Sequence, residues 1–283
     1  MATYPTLDSF DFPVALAVAD RTHVLSTDGD VEAVLPWKSV TKPLTALAAL
    51  AAIDTGALGL DDPAGPDGST VRHLLAHASG LPFEAGGVTQ QPGRRRVYSN
   101  LGFEVLGDVV AAAVGTDVGS WVRRAVIEPL ELDSTTLDGS PAHAASGSTL
   151  DVLALGLELA HPHLISAELA HEASTVQLPG LAGVLPGFGK QDHNDWGLGY
   201  EIRDHKSPHW TGSQSSPATY GHFGQSGSFL WVDPDAGLVA AFLGERSFRA
   251  EVHGRLWPAL TDEILTAHGG VSFSSKTPAP DAP

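Results

Sequence analysis

Cysteine is absent from the 283-residue chain, which excludes a thiol nucleophile, a disulfide framework and any thiolate metal site. Basic residues are scarce. Sixteen Lys and Arg stand against 33 Asp and Glu, a formal net charge of -17, and a field of that sign repels nucleic acid and anionic membranes as partners. It also disfavours strongly anionic substrates. No run of about 18 uncharged apolar residues occurs, so no membrane span is expected. Residues 1–12 have neither a basic n-region nor the apolar run of a signal peptide, and the expected compartment is therefore the cytoplasm unless a leader precedes this numbering.

What is present reads as a globular, loop-rich chain, with 42% hydrophobic residues, 31 Gly and 20 Pro, long enough for one large or two modest domains. Val14–Ala19 and His23–Ser26 alternate as a hairpin, and Thr27–Asp30 turns the chain. An apolar Ala/Leu-rich helix runs from Ser39 to about Ile53 and ends at Gly56 and Gly59. With no polar face, it has to be buried. Shorter helices are expected over Ser69–His77, Phe103–Ala112 and Leu150–Leu159. Strands return at Trp196–Ile202, Tyr220–Phe223, Ser228–Val232 and Leu238–Leu243, the last two joined by a turn at Asp233–Gly237. Val252, Leu256, Leu260 and Ile264 mark a final helix, and 271–283 reads as a disordered tail. Strands at both ends with helices between predict an α/β fold of α+β type. An antiparallel sheet domain would form from 1–58 and 196–270, a helical domain from 59–195, and the site would lie in the cleft between them.

Three motifs carry chemistry. Ser39 precedes Lys42 by three residues at the start of the buried helix, so hydroxyl and ammonium share a face, beside the N-terminal N–H groups that favour an oxyanion. Pro43 is tolerated there because the first turn lacks intrahelical partners for its N–H groups. Alone, the pair equally suits a helix cap and a surface lysine. Tyr98 and Asn100 follow the basic run Arg94–Arg96, where a phenol can act as a base if cations stabilise its anion and an amide can both donate and accept. Their bland counterpart is a half-buried tyrosine and a capping Asn. His222, Phe223 and Gly224 sit on a strand, the glycine allowing close approach of a substrate.

Other patterns are rejected. His73 and His77 are spaced i, i+4 but have no Glu between them in the H-E-x-x-H manner, and no metal site is expected. Ser226 fails the G-x-S-x-G elbow because Ser228 occupies the second glycine position. No P-loop or G-x-G-x-x-G is present, so no cofactor is expected.

Taken together, Ser39/Lys42, Tyr98/Asn100 and His222/Gly224 resemble, in order and in the elements that bear them, the S-x-x-K, Y-x-N and K/H-x-G trio of the serine β-lactamase and penicillin-binding-protein superfamily, in its class C β-lactamase, DD-peptidase and esterase branch. His73–Pro82, Trp196–Tyr200 and Gly221–Gly224 leading to Leu230–Pro234 are similar too, and the likeness covers about 12–268. By that resemblance Ser39 is the nucleophile that becomes acylated and Lys42 and Tyr98 relay its proton. It also implies that the backbone N–H groups of Ser39 and Gln225 form the oxyanion hole and that Asn100 orients Lys42 and the acyl side of a small-molecule ester, amide or β-lactam. Where β-lactamases often carry Lys-Thr-Gly, His222–Gly224 lacks the permanent charge and the hydroxyl that help to hold a substrate carboxylate. The expectation is a carboxylesterase-type serine hydrolase on neutral esters or small amides. The alternatives are a β-lactamase or D-amino-acid peptidase, or a sensor that acylates once and stays blocked.

Overall fold

The computed structural model describes residues 4–269, and the tail expected over 271–283 lies outside them. Hairpin strands β1 (Val14–Ala19) and β2 (Val24–Asp28) are followed by β3 (Leu35–Pro36), a 3-10 turn (Lys38–Val40) and helix α1 (Thr41–Asp54). The central part of the chain holds α2 (Val71–Leu75), α3 (Asn100–Val114) and α4 (Val118–Val122), which runs into a π-helical turn at Arg123–Ile127. After β4 (Thr136–Leu137) and β5 (Ala145–Gly147) come α5 (Thr149–Ala160), α6 (Ala167–Ala173), β6 (Gly183–Leu185) and β7 (Gly189–Gln191). The chain then returns to the sheet through β8 (Glu201–Ile202), β9 (Tyr220–Gly224), β10 (Ser228–Asp233) and β11 (Leu238–Gly244) before α7 (Ala250–His268). Six strands form one antiparallel sheet in the order β2-β1-β11-β10-β9-β8. Both ends of the chain therefore supply a single sheet in a mixed α/β fold, as the distribution of strand and helix patterns predicts.

Strands β1, β9, β10 and β11 are buried on both faces while the edge strand β2 is largely exposed, and side-chain alternation sorts the buried residues between two apolar clusters. Ala17, Ala19, Leu230, Val232, Val239, Ala241 and Leu243 face one side with α1, α3 and α5. Leu16, Val18, Phe229, Trp231, Ala240 and Phe242 face the other with Trp257, Leu260 and Ile264 of α7. Helix α5 packs closely because Gly156 has no side chain: a Cβ there would lie 2.5 Å from Leu230 Cδ1 and 2.6 Å from Val239 Cγ1. Every residue of α1 from Thr41 to Ala52 is buried. The helix without a polar face is wrapped on all sides.

Several elements differ from the sequence reading. The run Trp196–Ile202 is a strand only at Glu201–Ile202. Gly199 takes φ +101 and the Gly197 N–H donates to the Tyr200 carbonyl at 3.0 Å, so the chain turns back and Trp196 bridges Glu201. That turn seats on α1, where a Cβ on Gly199 would meet Ala46 Cβ at 2.1 Å. Thr27 and Asp28 extend β2 instead of turning. Helix α2 is shorter than the pattern implied, and its N-cap Thr70 makes no capping bond because its hydroxyl pairs with His73 Nδ1 at 2.9 Å. Helices α4 and α6, of 5 and 7 residues, are too short for the 3.6-residue repeat to show. No helix among the described residues is long and apolar enough to cross a membrane.

Candidate active site

Ser39 lies in the 3-10 turn just ahead of α1, not in the helix itself. The turn continues into the helix without a break, and residues three apart remain on one face in either geometry. Immediately before it, Lys38 is held at φ +50, a left-handed conformation that costs a non-glycine residue about 1 kcal/mol or more. Trp37, one residue earlier, fixes the turn to its surroundings. Its N–H donates to the Ala145 carbonyl at 2.9 Å, and its carbonyl accepts from Ser228 Oγ at 2.9 Å. Gly224 closes the same contact, since a Cβ there would lie 2.3 Å from the Trp37 oxygen. The glycine expected to admit a substrate instead admits the chain's own backbone, drawing the end of β9 against the turn that carries Ser39.

Lys42 has no exposed surface. Its ammonium donates to Asn100 Oδ1 at 2.6 Å and to the Ala142 carbonyl at 3.0 Å, and stands 4.8 Å from the centroid of the Tyr98 ring. Burial pushes its pKa down from 10.5 to about 7, against a smaller opposing pull from Glu104. Near neutral pH this lysine exists in both protonation states.

The Tyr98 hydroxyl is buried and has no hydrogen-bond partner of good geometry. Burial raises its pKa, with Ser39 offsetting part of the rise, so the group is a phenol at neutral pH. The preceding arginines do not change this, because the buried Arg96 donates to the carbonyls of Ala76, Asn194, Gln177 and Leu178. The cation beside Tyr98 is Lys42.

Asn100 begins α3, but the cap is Ser99, whose hydroxyl accepts from the Gly102 N–H at 2.8 Å. That leaves the Asn100 amide free to meet Lys42. His77 supports the same segment by accepting from the Ser99 N–H at 3.2 Å through Nδ1. It lies past the end of α2 at φ +53, so it shares no helix face with His73. His222 places Nδ1 2.7 Å from the Phe223 carbonyl. A carbonyl only accepts, so Nδ1 carries the hydrogen and the buried, unpartnered Nε2 is a bare acceptor. Burial, reinforced by Lys42, lowers the pKa of His222 to about 3, leaving the ring uncharged.

Ser39, Tyr98, Asn100, His222, Phe223 and Gln225 line one cavity of about 460 Å³, together with Phe83, Trp196, Leu185 and Pro186. Lys42 and Gly224 are not part of this lining: Lys42 stands behind it, and Gly224 lies against the Trp37 carbonyl. A larger hollow of about 600 Å³ beside α4 contains none of the three motifs. Sequence reasoning missed Glu201, which also lines the site cavity. Its carboxylate forms an ion pair with Lys206 Nζ at 3.1 Å and accepts from His209 Nε2 at 3.1 Å and from Trp210 Nε1 at 2.7 Å. Burial alone would raise its pKa, but Lys206 and His209 outweigh that and hold it at about 2. The only sequence signal for this cluster was a carboxylate next to an apolar stretch.

The pattern that defines the beta-lactamase family matches residues 14–263, which is most of the chain. The chain belongs to the beta-lactamase family. By class it is a serine hydrolase. A crystal structure of a beta-lactamase from Mycobacterium bovis superposes with a TM-score of 0.91 at 47% identity, covering 93% of this chain and 98% of that one. EstCE1, described as a hydrolase with promiscuous acyltransferase activity, shares the fold at a TM-score of 0.74 and 19% identity, covering 92% of this chain and 95% of its own. Penicillin-binding protein 4* of Bacillus subtilis (strain 168) is 27% identical over 184 residues, 51% of this chain and 40% of that protein. The match thus spans well under half the length of that relative.

Proposed function

We propose that this member of the beta-lactamase family hydrolyses neutral esters or small amides through an acyl-enzyme on Ser39. The observation that carries the reading is the Lys42 amine, buried, hydrogen-bonded to Asn100, beside Tyr98 and titrating near neutrality. In its uncharged form it accepts the Ser39 proton as the hydroxyl attacks the carbonyl, while the backbone N–H groups of Ser39 and Gln225 receive the oxyanion. Tyr98, protonated at rest, passes its proton to the departing alcohol or amine and recovers one from the adjacent Lys42 ammonium, so that both groups return to their starting states. Water then attacks the acyl-enzyme and releases the acid. Asn100 keeps the Lys42 amine aimed and borders the acyl group.

The preference for uncharged substrates rests on the lining. Phe83, Tyr98, Trp196, Phe223, Leu185 and Pro186 form an aromatic and apolar wall. His222 brings no positive charge, the Glu201 charge is already paired, and Lys38 and Glu84 contribute one charge of each sign to the lining. A second reading, β-lactam hydrolysis, is favoured by the Mycobacterium bovis structure, which is described as a beta-lactamase. The two separate in one comparison of kcat/KM on the purified protein, using p-nitrophenyl acetate, a chromogenic cephalosporin and a D-Ala-D-Ala peptide. We expect the ester to exceed both others by at least about tenfold, the scale on which a mainly apolar pocket discriminates between substrates. A cephalosporin or peptide turned over faster than the ester overturns the ester reading in favour of that substrate.

A further inference from the structure

A second cavity, about 560 Å³, adjoins the first and shares three of its walls, Phe83, Tyr98 and Pro186. Strand alternation creates the division. Within β6, Leu185 is buried and lines the Ser39 cavity, whereas its neighbour Val184 is 46% exposed and lines the second. The β6–β7 hairpin that separates them is anchored, since the Arg96 N–H donates to the Ala182 carbonyl at 3.0 Å and Arg96 bridges Gly183. Across the gap stand Thr89 and Gln90. Thr89 is tied to the Gly80 carbonyl by its N–H at 2.9 Å and its hydroxyl at 3.0 Å. Both walls are therefore built from fixed backbone.

Exposed large apolar side chains are few among the described residues: Val24, Val34, Phe83, Val88 and Val184. Three of these five gather here, with Phe83 and Val184 in the lining and Val88 next to Thr89. A concentration of exposed apolar surface marks a binding surface rather than ordinary exterior. No carboxylate lines this cavity, and its charged walls are two arginines: Arg96 is taken up by backbone carbonyls and Arg95 is exposed to solvent. What fills it is set by continuity, because the shared walls lead directly from the cavity of the nucleophile.

We propose that the second cavity receives an apolar arm of the substrate, an alkyl or aryl chain several carbons long carried by the acyl or the alcohol half of the ester. This rests on the hydrolase reading above and narrows its substrate class. The arm passes between Phe83 and Pro186 and ends against Val184, with the reacting carbonyl at Ser39.

Two ester series test it: p-nitrophenyl esters from acetyl to octanoyl, which lengthen the acyl half, and acetate esters from ethyl to octyl, which lengthen the alcohol half. In one series kcat/KM is expected to rise about threefold to fourfold for each of the first buried methylenes, at least about tenfold overall. The series that rises identifies the half bound. Val184→Glu, which puts a charge into the second cavity only, is expected to lower the long-to-short ratio of kcat/KM about tenfold. The ratio is internal to one preparation, so partial misfolding cancels. Turnover of acetyl esters with both series flat, or a ratio unchanged in the variant, overturns the arm while leaving the hydrolase reading intact. No turnover of any ester overturns both.

Discussion

Ser39→Ala is expected to lower turnover of p-nitrophenyl acetate by about 10⁴-fold or more, the scale seen when a covalent nucleophile is deleted and only binding and oxyanion stabilisation remain. The fold should not share the loss. Ser39 is half-buried and its turn is held by the Trp37 backbone rather than by its own hydroxyl, so thermal stability should shift by less than about 0.5 kcal/mol. Activity measured beside a melting curve separates these effects. Turnover within tenfold of the unaltered enzyme would remove Ser39 from the chemistry.

Lys42→Met is expected to cost about 10³-fold in kcat/KM, within the usual range for removing a positioned base. It should also change two pH profiles. In the unaltered enzyme burial places the Lys42 pKa at about 7 rather than 10.5, and the uncharged amine is the active form, so kcat/KM should fall as pH drops through 7. Stability follows the opposite partner, the unfolded chain. Between pH 7 and 10.5 that chain holds a proton on Lys42 which the folded protein has lost, so this group makes stability rise with pH by up to about 1.4 kcal/mol per unit. Below pH 7 both states are protonated and the contribution is flat. The stability difference between the unaltered protein and Lys42→Met, followed by denaturant unfolding from pH 6 to 10, should therefore widen in favour of lysine above pH 7. A difference that stays level, with an acid limb that persists in the variant, contradicts the assignment.

These effects depend on a site assembled from distant parts of the chain, and the parts differ in how far sequence reveals them. The sheet was legible because β1, β10 and β11 alternate between two apolar clusters, and α1 because a helix with no polar face has one destination. Ser39, Tyr98, Asn100, His222, Phe223 and Gln225 could be proposed from spacing and resemblance, and the structure lines one cavity with them. Spacing says nothing of protonation, however. The Arg94–Arg96 run suggested cations at Tyr98, yet Arg96 is consumed by backbone carbonyls and Lys42 stands there instead. In the proposed mechanism that difference exchanges the expected proton states of the pair, with Lys42 as the base and Tyr98 as the acid.

Long-range contacts account for the remainder. The bond from Ser228 Oγ to the Trp37 carbonyl joins residues 191 positions apart, and in the sequence Ser228 reads as a strand residue that spoils an elbow motif. Gly199 looked like part of a strand, and only the proximity of Ala46 explains why the chain turns there. Glu201, Lys206, His209 and Trp210 form a buried polar cluster, although only Glu201 falls in an element that the sequence predicts. In each case the partner, rather than the residue itself, decides the role.

The central claim, a covalent intermediate on Ser39, is tested most directly by intact-protein mass spectrometry of the enzyme quenched in acid during turnover of a slowly deacylated ester. The account predicts a transient mass increase equal to the acyl group, located on the peptide containing Ser39 and absent from Ser39→Ala. Steady hydrolysis with no adduct, or an adduct of the same size in Ser39→Ala, would contradict it.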